Sequence, residues 1–146
     1  MNDQSTTLPP RLSEIVDDFQ IAEGREKLEL LLEYSEKMPP LPDWLAQDHS
    51  QMDQVHECMP PVFVHAERKG EVLYFYFDIP PESPTVRGFA SLLAEGLNGL
   101  TPQEILQVPG DFYLQMGLDQ ALSHQRLNGI SAMLAYIKRL AARYMD

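Results

Sequence analysis

The chain predicts an α+β fold in which a small antiparallel sheet packs against helices. Three observations carry this. Apolar residues recur at helical spacing before residue 38 and again after residue 84. Two neighbouring runs between residues 62 and 77 are dense in β-branched and aromatic side chains. Those strand runs stand together instead of alternating with helices, which opposes a parallel βαβ sheet. At 146 residues a single domain is the default, able to bury about two-thirds of its unfolded surface without disulfides or metals. Residues 1–8 read as a disordered polar tail and 9–146 as that domain.

Pro9 and Pro10 open a first helix, where Leu12, Ile15, Val16 and Phe19 form one apolar stripe. Gly24 interrupts it. A second helix follows from Arg25 to Lys37, with Leu28, Leu31 and Leu32 on one face and Tyr34 near its end. Arg25, Glu26, Lys27, Glu29 and Glu33 are expected on its solvated side, and Pro39-Pro40 stops it. Residues 39–55 are rich in proline and polar groups, too long for an idle connection. Leu41, Trp44 and Leu45 suggest that this stretch packs back onto the body.

Val62–Ala66 and Val72–Phe77, joined by Arg68-Lys69-Gly70, read as an antiparallel hairpin whose aromatic residues serve packing. From Pro84 the period returns to 3.6, with Val86, Phe89, Ala90, Leu93 and Leu97 in line and Asn98-Gly99 as the stop. Thr101-Pro102-Gln103-Glu104 is a capping box. Asp111 is expected to cap a short helical turn that Gly117 ends. Ser123 is expected to cap the last helix, whose stripe is Leu127, Ile130, Leu134, Ile137, Ala141 and Tyr144.

A net charge of −11 opposes binding to nucleic acid or to an anionic membrane, because phosphates would be repelled. The first residues lack the basic and apolar regions of a signal peptide, and no apolar run reaches membrane-span length. With one cysteine and no export signal, a reducing cytoplasmic compartment is expected.

That cysteine, Cys58, sits in Val55-His56-Glu57-Cys58-Met59-Pro60-Pro61-Val62, just ahead of the first strand. One thiol cannot close an internal disulfide, run CxxC redox chemistry or hold a zinc or iron–sulfur site by itself. It can act as a nucleophile toward something another protein brings. Position alone favours the plainer role, a small buried hydrophobe. His56, Glu57, Cys58 and His65 together invite a zinc reading, but the spacing is loose and no second cysteine is present. A cysteine hydrolase lacks any supporting signature.

Three stretches change the balance. The first runs from Leu41-Pro42 through Cys58 to Val62-Phe63. The second is Thr85-Val86-Arg87-Gly88-Phe89 with Asn98-Gly99-Leu100-Thr101-Pro102-Gln103-Glu104-Ile105. The third is Met116-Gly117-Leu118 with Leu122-Ser123-His124-Gln125-Arg126-Leu127-Asn128-Gly129-Ile130-Ser131-Ala132-Met133. In order and spacing they resemble the SufE family and its close relative CsdE, over roughly residues 10–140. That resemblance implies a fold like that of the IscU and NifU scaffold proteins and no bound cofactor. It implies a sulfur carrier, not an enzyme in its own right. Cys58 would take persulfide sulfur from a PLP-dependent cysteine desulfurase, SufS-like or CsdA-like, stimulate that enzyme and pass sulfur to an iron–sulfur assembly complex. Self-association as a homodimer stays open.

Within the resemblance, Arg126 is carried over from the family's R-x-N-G pattern as a support for the sulfur, and His56 and His65 are near Cys58 in sequence. Each has a plainer alternative: a solvated loop or strand surface for the histidines, support of the helix start for Arg126. Asp78, Glu82, Ser83 and Arg87 are candidates for the face that docks on a partner. The chain departs from the family around the thiol. Glu57 stands where the family has glycine, Met59-Pro60-Pro61 replaces a Gln-Ser run, and Phe63 replaces tryptophan. Two prolines should stiffen the loop, and a carboxylate beside the thiol should raise its pKa. Those departures keep a second reading in play, a binding module that activates its partner without using the thiol.

Overall fold

The computed structural model describes residues 8–58 and 61–145. The stiffening expected from Pro60-Pro61 falls partly outside that range, at Pro60, as does the tail over residues 1–7; Leu8, the last residue of the expected tail, is buried. The element order is α1 (Pro10–Ile21), α2 (Arg25–Glu36), α3 (Asp43–Ala46), β1 (Asp53–Gln54), β2 (Phe63–Lys69), β3 (Val72–Asp78), α4 (Pro84–Leu97), α5 (Pro102–Leu106) and α6 (His124–Ala142), with three short 3-10 turns. The α+β expectation is borne out.

Local chemistry explains most boundaries. Pro10, Pro84 and Pro102 stand in the first turns of α1, α4 and α5, where a missing N–H costs nothing. The capping box at Thr101 forms in both directions with Glu104. Ser123 Oγ accepts the Arg126 N–H at 3.3 Å, so the predicted cap of α6 is present. Asp111 precedes the 3-10 turn Phe112–Leu114, but its side chain makes no capping hydrogen bond. Gly117, at φ 76°, separates that turn from the next one, Leu118–Gln120.

The strands run β1-β2-β3, all antiparallel. Val64 pairs with Phe77 and Ala66 with Phe75, and these inward positions are buried. β1 was not legible: it is two residues long and exists only because Asp53 and Gln54 pair with Val64 and Phe63. The other edge of the sheet is closed by the chain leaving α4. Leu73 bonds both Leu100 O and the Gly99 N–H at 2.9 Å, and Asn98 Oδ1 accepts the Phe75 N–H at 2.8 Å. Covering an edge this way removes a template for aggregation.

α4 lies at the centre, packed on α1, α2, α6 and β3. Two glycines allow it. A Cβ on Gly88 would stand 2.1 Å from Leu31 O, and one on Gly96 would stand 2.9 Å from Leu12 Cδ1. Phe89 stacks on Phe112 at 5.8 Å between centroids, both fully buried. Burying such a side chain contributes roughly 1.5–3 kcal/mol.

The face of α2 differs from expectation. Leu31, Tyr34, Ser35 and Lys27 are buried, whereas Leu28 and Leu32 are 36% and 46% exposed. Lys27, expected in solvent, is 5% exposed and donates its ammonium to Phe19 O in the last turn of α1. There a cation meets the negative end of the helix dipole, and the apolar stem fills space a leucine would otherwise take. In the 39–55 segment Leu45 is fully buried, while Trp44 stays half exposed, edge-on to His65 and Tyr76.

Candidate functional site

Cys58 follows β1 by four residues, and two backbone bonds set its direction. The Val55 N–H donates to Val62 O at 2.8 Å, and the Cys58 N–H donates to Val55 O at 3.2 Å. The chain therefore folds back, and the thiol turns inward at 8% exposure. Its Sγ donates to the carbonyl of Gly129 at 3.3 Å. Burial, with the charge of Glu57 as the smaller cause, pushes the thiol up to about 11. At rest it is neutral, shielded from oxidants and a poor nucleophile.

Gly129, in the second turn of α6, has a second role. It lines a cleft of about 360 Å³ that also takes Glu82, Ser83, Pro84, Thr85 and Val86 from the start of α4, and Gln125 and Arg126 from the start of α6. Two long helices thus begin at one cleft, forty residues apart in sequence. Each brings the positive end of its dipole, and in α6 the Arg126 N–H is taken up by Ser123 Oγ. Ser83 makes no side-chain cap bond, so the N–H groups of α4's first turn are not taken up by it. Arg126 adds a full positive charge, and Glu82 is the single carboxylate of the lining. A thiolate is destabilised in its buried seat and favoured where these positive ends meet.

The structure sorts the candidates. Arg126, Glu82 and Ser83 share the cleft, and Gly129 joins it to Cys58. His56 is exposed, two residues before the thiol. His65 is not brought to the thiol: it lies on the sheet face opposite the core, stacked on Tyr76 with its Nδ1 3.1 Å from Gln51 O. Asp78 pairs with His49 at 2.9 Å instead of facing the cleft. Arg87 Nη1 donates to Ser35 O at 2.7 Å, bracing α4 on α2. Among the described residues no group of three or more His, Cys, Asp or Glu is arranged to hold a metal ion.

Gly129 was quoted within a motif but not singled out. Its signal is a glycine inside a helical pattern, which costs about 1 kcal/mol against alanine and points to a close approach. Thr85, Val86 and Gln125 also stand in the quoted stretches, but nothing local points them to one site, because only the tertiary meeting of two helix starts makes them neighbours.

Comparison with known proteins identifies the family and the fold. Residues 13–141 match the family model SufE, described as an Fe-S metabolism associated domain. An uncharacterized SufE-like protein of Mycobacterium tuberculosis is 46% identical over 134 residues, covering 91% of this chain and 92% of its own. The cysteine desulfuration protein SufE of Plasmodium vivax is 26% identical over 145 residues, covering 95% of this chain and 56% of its own. The solution structure of a hypothetical protein from Thermus thermophilus superimposes with a TM-score of 0.81 at 37% identity, covering 93% of this chain and 96% of that one. With its match running from α1 to the last turn of α6, the chain belongs to the SufE family.

Proposed function

We propose that this protein is a sulfur relay. It takes persulfide sulfur from a PLP-dependent cysteine desulfurase onto Cys58 and hands it on to iron–sulfur cluster assembly in the cytoplasm. The observation that carries the reading is the single shielded thiol seated on Gly129, the residue that also lines a cleft where the starts of α4 and α6 meet with Arg126.

The chemistry is thiol–disulfide exchange with sulfur as the cargo. The donor's persulfide, R–S–SH, enters the cleft. Cys58, as thiolate, attacks the terminal sulfur; the new S–S bond forms as the old one breaks. The donor leaves as R–S⁻, and Cys58 carries –S–SH. No net oxidation or reduction is needed. Docking must free Cys58 from the Gly129 carbonyl, because the seated thiol is protonated at neutral pH. The helix starts and Arg126 then stabilise the anion that attacks.

A thiol-independent activator is the competing account, and the raised thiol pKa and Glu57 favour it. The two separate cleanly when a matched desulfurase is assayed with wild-type protein and with Cys58→Ser. The relay requires the serine variant to bind and not stimulate. Full stimulation by the serine variant would refute it.

A further inference from the structure

The chain leading to Cys58 is held by the same helix that seats the thiol. Tyr136 lies seven residues after Gly129 on α6, two turns along, so the two share one face of that helix. Tyr136 Oη donates to Asp53 Oδ2 at 2.7 Å, and Arg143 Nη1 stands 3.6 Å from the same oxygen. Asp53 is the first residue of β1 and pairs with Val64 on β2. Two residues on, Val55 is 1% exposed and bonded to Val62. A half-buried phenol bonding a carboxylate is charge-assisted, stronger than a screened surface ion pair.

We propose that Asp53 and Tyr136 are positioning residues for the relay. Their contact fixes the incoming strand on α6 so that Cys58 Sγ meets Gly129 beside the cleft. The proposal rests on the sulfur-relay reading of that cleft. Neither residue lines the cleft or contacts the sulfur; both act through the placement of Cys58. Losing a hydrogen bond to a charged group shifts an equilibrium by about ten- to a hundredfold.

The test compares Tyr136→Phe, Asp53→Ala and Asp53→Asn. The asparagine keeps an acceptor for the phenol and gives up only the charge. Alkylation of Cys58 by iodoacetamide is followed in the isolated protein, with a thermal melt to show that each variant is folded. With a matched desulfurase, maximal stimulation and half-saturating concentration are read separately. Tyr136→Phe and Asp53→Ala should speed alkylation by about tenfold or more. They should lower maximal stimulation and leave the half-saturating concentration within about twofold, and Asp53→Asn, which keeps the acceptor but loses the charge, should fall between wild type and Asp53→Ala. Should Asp53→Ala not fold, Tyr136→Phe carries the test alone.

Wild-type alkylation and stimulation in Tyr136→Phe would overturn the proposal. So would an asparagine variant as impaired as the alanine one, or a rise in half-saturating concentration that accounts for the whole loss. If alkylation changes as expected while the wild-type protein never stimulates a desulfurase, the placement of Cys58 stands and the relay reading falls.

Discussion

The resting thiol should be almost inert, and its inertness should have two separable causes. Its pKa rises from 9.0 to about 11, first through burial and second through Glu57. At neutral pH that leaves about one hundredth of the thiolate an ordinary cysteine carries. The assay is iodoacetamide alkylation of Cys58 across pH, on the folded protein and on the chain in denaturant. The denatured chain should react about a hundredfold faster at pH 7.5, and the folded protein's rate should keep climbing to about pH 11. Because Glu57 is the lesser cause, Glu57→Gln should recover less than about tenfold of that rate. The same shift bears on stability. The unfolded chain loses the thiol proton near pH 9 and the folded one holds it to about 11, so stability should fall as pH rises through that window. An apparent pKa at or below 9 in the folded protein, without a partner, would refute the argument from burial.

Gly88→Ala should destabilise the fold by at least about 3 kcal/mol in denaturant melts, because its Cβ would collide with the Leu31 carbonyl, backbone that cannot step aside. Gly129→Ala should do the reverse: its Cβ meets Cys58 Sγ at an ordinary 3.8 Å, and the helix gains up to about 1 kcal/mol. The added methyl at the border of thiol and cleft should nevertheless slow sulfur loading, measured in a single turnover. Arg126→Ala should leave the melting temperature within a few degrees of wild type, since Arg126 is exposed. It should cut sulfur loading about tenfold, the worth of one charge-assisted contact.

The helices were legible because their stripes obey one local period, as Leu12, Ile15, Val16 and Phe19 show. α2 misled because leucine is a good helix former whether or not it is buried, so Leu28 and Leu32 looked like core. Lys27 is buried through a carbonyl that belongs to another helix, a partner no local pattern announces. β1 is invisible for the same reason, being defined by its neighbour on β2. Cys58 stood out as the one thiol, but its seat on Gly129 lies 71 residues away. Arg126, Glu82 and Ser83 were named for separate reasons, and only the meeting of α4 and α6 makes them one cleft. The histidines were chosen by closeness in sequence, and strand alternation turns His65 to the face away from the core.

The central claim is that Cys58 itself carries the sulfur. Intact-protein and peptide mass spectrometry, after turnover of cysteine by a matched desulfurase, tests it most directly. The account predicts that the Cys58 peptide gains one sulfur atom, released by a reductant and absent in Cys58→Ser. A Cys58 peptide of unchanged mass, recovered while the desulfurase is being stimulated, would contradict it.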